Sequence, residues 1–136
     1  MRDERGTATL WVLGLCVALL FLGGLAVDLW RGIATRRELS AMADAVATAS
    51  ANGVDEGALR QGVVRLDPAR ARAIADETLA RDGRVAGLRA VEVAVAGDEV
   101  AVSLEDEVPF SLLGIFVHGE PFTVRATATA HPELRP

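Results

Sequence analysis

The sequence is poor in the groups that usually carry chemistry. It has no lysine, so all fourteen basic residues are arginine, against nineteen acids, for a net charge of −5. That acidic balance leaves no basic patch to neutralise a phosphate backbone, which excludes a nucleic-acid binder. A single cysteine, Cys16, lies within an apolar run, so no intramolecular disulfide can form and no neighbouring base activates the thiol. His118 and His131 are the only imidazoles, and they lie apart. Without a Cys/His cluster there is no transition-metal signature, and Glu105-Asp106-Glu107 lacks the pattern of a calcium loop. The glycines are scattered and form no phosphate-cradling loop, and no repeats or low-complexity tracts occur. No enzyme, cofactor, metal site or small-molecule substrate is expected.

What the sequence has instead is apolar side chains, 51% of the whole. They are concentrated in Leu10 to Val27, eighteen residues with no charged or strongly polar side chain. Gly6 to Val27 carries no charge at all. At about 1.5 Å per residue, a helix over those residues reaches roughly 33 Å, enough to span a hydrocarbon core of about 30 Å. Trp11 and Trp30 flank the run, where indole rings favour the headgroup layer. A cleavable signal peptide is the competing reading, because Gly24 and Ala26 have small-x-small spacing. The run is longer than an ordinary h-region, however, and Met1 to Arg5 has as many acids as bases. A retained single-pass anchor in a bilayer is therefore the expectation. Arginines lie on both sides of the run, so charge does not set its orientation.

Beyond Asp28 the pattern remains helical, Ala-rich and free of Pro. Leu39, Met42, Ala43, Val46 and Ala49 recur at helical spacing and form a narrow apolar stripe, to be packed on the chain's own head or offered to a partner. Asn52-Gly53 is the expected stop, both residues tolerating a left-handed conformation. Asp28 caps the exit from the apolar run and Asp44 faces water, or both serve packing or assembly. The spacing predicts three parts: residues 1–27, a short N-terminus and membrane segment; 28–53, a soluble continuation of the helix; and 54–136, a small α+β head.

In the head, Asp67-Pro68 opens a helix by N-cap and N1 preference, with Ala71, Ile74, Ala75, Thr78 and Leu79 on one face and Gly83 as its stop. A short helical turn is expected around Ala58 to Gly62. Two alternating runs flank Gly97-Asp98, a two-residue hairpin turn that pairs Val95 with Val100, Val93 with Val102, and Val91 with Leu104. With that register, Asp at Val93 or at Val102 should unfold the head, whereas Ala at Glu92 or Ser103 should change little. The second strand is expected to end at Glu105-Asp106-Glu107, followed by a loop over Pro109 to His118. Leu112 to Phe116 in that loop is either core or an apolar partner contact. Phe122 to Ala130 alternates with Thr and Arg as a third strand. The fold class is α+β: a long N-terminal transmembrane helix continuing into a small head with one helix and a three-stranded antiparallel sheet.

These residues resemble the TadE/TadG-like proteins of Flp (Tad) pilus assembly. The resemblance covers Arg5-Gly6-Thr7-Ala8, the hydrophobic helix, Ala26-Val27-Asp28, and Leu39 through Ala43-Asp44-Ala45. It implies a pilin-like plan and a minor-pilin-like structural or assembly protein. Such a protein would be held in the inner membrane with its head extracytoplasmic and would bind other pilus or secretion-system subunits through the N-terminal helix. The candidate assembly or packing residues are Gly6, Trp11, Asp28, Met42, Asp44 and Val46. Members carry Glu five residues after the cleavage point; a cut after Gly6 would place Trp11 there. The alternative is a secreted or anchored binding module unrelated to a filament.

Overall fold

The computed structural model describes residues 3–110, 114 and 121–133, with side chains from residue 6 onward. Its elements are α1 (Asp3–Ser50), α2 (Glu56–Arg60), α3 (Pro68–Arg81), β1 (Ala90–Ala96), β2 (Glu99–Val108) and β3 (Phe122–Ala130). The sheet is antiparallel in the order β1-β2-β3. The α+β class is therefore as the sequence implies; α2 stands two residues before the short helical turn expected around Ala58 to Gly62, and a 3-10 turn at Val85–Gly87 is added. The chain divides into two compact units. One comprises Met1–Ala34 with Val108–Phe122, and the other Thr35–Glu107 with Thr123–Pro136.

In the second unit, the last turns of α1 bury Leu39, Met42, Ala43, Val46 and Ala47. The spacing i, i+3, i+4, i+7 makes these one face of the helix. Ser50 is buried beside them and donates from its hydroxyl to the Val46 carbonyl at 2.7 Å. The helix ends where Gly53 N–H donates to the Ser50 carbonyl, a tighter closing bond than the α-helical one. Neither Asn52 nor Gly53 is left-handed, contrary to the conformational reason the sequence offers for stopping here. Gly53 is required by proximity instead. A Cβ on it would stand 2.8 Å from both the Cα and the N of Ala71, and backbone atoms cannot step aside. Gly53→Ala should therefore destabilise this unit by about 1–3 kcal/mol, the usual cost of overpacking. An unchanged denaturation midpoint would contradict that contact.

The intervening chain is pinned at its base. Val54 bridges to Leu66, Asp55 N–H donates to the Arg65 carbonyl, and Asp67 N–H donates to that of Gly53. Asp55 also caps α2, accepting from Gly57 and Ala58, while Arg65 donates to its other oxygen at 3.0 Å. The Arg65 hydrogen bond, followed by those two backbone donors, holds the Asp55 carboxyl below its ordinary 3.8. A lowered folded value means that the unfolded chain binds more protons. The stabilisation is thus complete above about pH 3.8 and is lost as pH falls through the folded value. Thermal melts of wild type and Asp55→Asn should therefore converge on acidification and separate above that window.

α3 begins as expected, with Asp67 accepting from Ala69 and Arg70, and it buries Ala71, Ala75 and Leu79. Its end is different: the helix stops at Arg81, Asp82 N–H donates to the Leu79 carbonyl, and Gly83 has no positive φ. The β1–β2 register is the one the sequence dictates, with Val95 opposite Val100, Val93 opposite Val102, and Val91 opposite Leu104. Gly97 at φ +64° occupies the first turn position and Asp98 is not left-handed, as in a type II′ turn. Burial, however, is unequal across the pairs. Val100, Val102 and Leu104 are fully buried on the central strand, whereas Val93 and Val95 on edge strand β1 are half-buried and Val91 is exposed. β2 also continues through the acidic run to Val108. Arginines from outside the strand pair with that run, Arg125 of β3 with Glu105 and Arg89, just before β1, with Glu107. β3 buries Val124, Ala126 and Ala128 and exposes its Thr and Arg positions.

Candidate functional site

The first part of α1 is unlike any other element because its apolar residues are not folded inward. Leu10, Trp11, Leu20 and Trp30 are each about 70% or more exposed, and Leu13, Leu15 and Leu22 are nearly as open. An α-helix closes its backbone hydrogen bonds within itself, so the segment needs no packing partner to satisfy them. Among the described residues one helix is long and apolar enough to cross a membrane; its best window has a mean hydropathy of 2.6 and is 6% buried.

Two features mark this segment. Thr7, Leu10, Trp11, Gly14, Leu15 and Ala18 line a shallow apolar groove along one side. Gly14 and Ala18, one turn apart, keep its floor low, which is how a second helix is admitted to close approach. Gly24 and Asp28, also one turn apart, are buried, with Asp28 only 4% exposed and engaged by a partner group. One turn further, Gly32 receives the Phe122 ring: a Cβ there would be 2.9 Å from its Cζ. The Phe110 and Phe122 rings are 5.5 Å apart and tilted by 43°.

The candidate residues thus fall into different settings. Gly6 and Trp11 are exposed on the apolar part of α1, and Asp28 is buried on its covered face. Met42 and Val46 lie in the core of their own unit, with Asp44 on the solvent side of the same helix. They do not converge on one site. The i, i+4, i+8 spacing of Gly24, Asp28 and Gly32 is visible in the sequence, but nothing local shows what covers it. Leu112 to Phe116 (Gly114 apart) and His118 lie outside the described residues. His131 Nδ1 is 3.2 Å from the Asp98 carbonyl, on the exposed turn. Among the described residues, no group of three or more His, Cys, Asp or Glu could hold a metal ion.

No curated protein and no solved structure matches the chain. One family model does, over α1 and the three residues that follow it. Residues 6–53, which hold the exposed apolar helix and the stripe that enters the core, match the Tad family, putative Flp pilus-assembly TadE/G-like.

Proposed function

We propose that this is a membrane-anchored, minor-pilin-like structural or assembly component of a Tad (Flp) pilus or secretion system. In this reading the protein crosses the inner membrane once, with residues 54–136 as an extracytoplasmic head. The observation that carries it is the long exposed apolar part of α1 lying within the family match. An uncovered helix of that length is stable only in lipid or against other helices, and a pilus component uses both: the bilayer before assembly, sibling helices afterwards. Gly14 and Ala18 supply the close-approach face, and Asp28 and Asp44 bracket the exit and the water-facing continuation. Trp11, standing where the family resemblance calls for Glu, cannot neutralise a neighbour's amino group. A rare tip, initiator or membrane-retained assembly role follows, not that of the major subunit.

The test is genetic and chemical. Deletion should abolish filaments or secretion while the most abundant subunit is still made. A photo-crosslinker at Ala18 should capture other pilus components at low stoichiometry, and one at the core position Val46 should not. Filaments composed mainly of this protein would refute the minor role. Normal filaments in its absence would refute the pilus role altogether.

A further inference from the structure

Strand β1 lies at one edge of the sheet, and its ladder with β2 runs unbroken from Ala90 to Ala96. The two-residue turn at Gly97-Asp98 makes Ala96 and Glu99 a hydrogen-bonded pair, and such pairs alternate along an antiparallel ladder. Ala94, Glu92 and Ala90 therefore also direct their N–H and C=O groups to β2. Those of Val91, Val93 and Val95 point the other way, to the open edge. Among the described residues, no backbone hydrogen bond outside the ladder engages them. The devices that usually blunt an edge are missing too: the strand has no Pro, no Lys and no bulge, and Glu92 is its one charge.

Such an edge is a template for another strand, and β1 of a second copy supplies one that fits. Antiparallel pairing about a two-fold axis at Val93 sets Val93 opposite Val93, Val91 opposite Val95, and Glu92 opposite Ala94. Every outward N–H and C=O of both copies is then paired. The valines stay on one face and continue the apolar side of the sheet, and no carboxylate stands opposite another. Pairing with the other edge, β3, would be head to tail and would not close. We infer that β1 is a self-pairing edge, through which two copies of the chain join antiparallel, centred on Val93, into one continuous sheet. This pairing needs neither the membrane nor another pilus subunit.

Cysteine pairing in the full-length protein tests the register. Glu92 and Ala94 are both exposed, so Cys at either position leaves the fold intact. In a Cys16→Ser background, Glu92→Cys is made in one preparation and Ala94→Cys in a second, affinity-tagged one. The two are mixed in detergent micelles and oxidised. Across the axis these positions form a non-hydrogen-bonded pair with Cα atoms about 4.5 Å apart, within disulfide reach. Two copies of the same variant place their cysteines diagonally at about 7–8 Å, beyond it. The expected result is a disulfide-linked dimer from the mixture and little from either preparation alone. Charge gives a second reading in sedimentation of the protein without added cysteines. Ala94→Lys should raise the dimer association constant and Ala94→Glu should lower it, each by about 2- to 30-fold, because every dimer sets Glu92 opposite position 94 twice. Equal capture from the single preparations shows contact without this register and overturns the inference. So does capture from none, or a dimer indifferent to charge at position 94. Species that grow beyond the dimer with concentration assign the edge to head-to-tail association with β3 and overturn the two-fold pairing.

Discussion

Val102→Asp should unfold the second unit, and Val93→Asp should not. Both positions share one face of the β1–β2 ladder and stand directly opposite each other. Val102 is fully buried on the central strand, whereas Val93 is half-buried on an edge strand. Removing a buried Val forfeits about 1.5–3 kcal/mol of apolar burial. Burying even a neutral polar group in that layer with no partner costs about 2–7 kcal/mol more, and an ionised carboxylate exceeds that. The sum rivals the roughly 5–15 kcal/mol that holds a whole domain together. At Val93 the carboxylate can turn to water at the sheet edge, which leaves about 1–2 kcal/mol of lost packing. Glu92→Ala and Ser103→Ala should be nearly neutral, since Ser103 loses only an exposed hydroxyl contact at 3.3 Å from Thr127. Trypsin digestion in detergent micelles reads the difference, because Arg70, Arg81, Arg84 and Arg89 become cleavable when the unit opens while α1 remains helical. Equal protection of the Val93 and Val102 variants would remove the distinction between edge and centre.

The second large effect is loss of membrane retention. Leu13 and Leu20 are both about 60% or more exposed on the apolar run. An arginine at the centre of a spanning helix costs about 2.5–3.5 kcal/mol, so Leu13→Arg with Leu20→Arg removes roughly 6 kcal/mol of insertion free energy. Wild-type protein should stay with membranes through high-salt and carbonate washing, and the double variant should appear in the soluble fraction. A shortened soluble wild-type form beginning near Val27 would instead establish a cleaved signal. Retention of the double variant would show that contacts other than the apolar run hold the protein.

What the sequence by itself determined is whatever depends on neighbours along the chain. The uncharged run, the Asp67-Pro68 helix start, the Gly97-Asp98 turn and the register it imposes are all local. Each follows from helical rise, cap chemistry or the two-residue period of a strand. The tertiary structure decided which of those residues matter. Gly53 is a close approach to Ala71 and not a left-handed cap, because the atom it would strike lies eighteen positions away. Leu66, one of the largest fully buried side chains, sits in a stretch with no periodicity to announce it, since a bridge to Val54 and not a helix or strand pattern turns it inward. The acidic run continues β2, and Arg89 and Arg125 arrive from other segments to pair with it. Met42 and Val46 show the same division. Their stripe is written in the sequence, but a stripe has no address, and only the folded chain brings its own apolar layer to cover it.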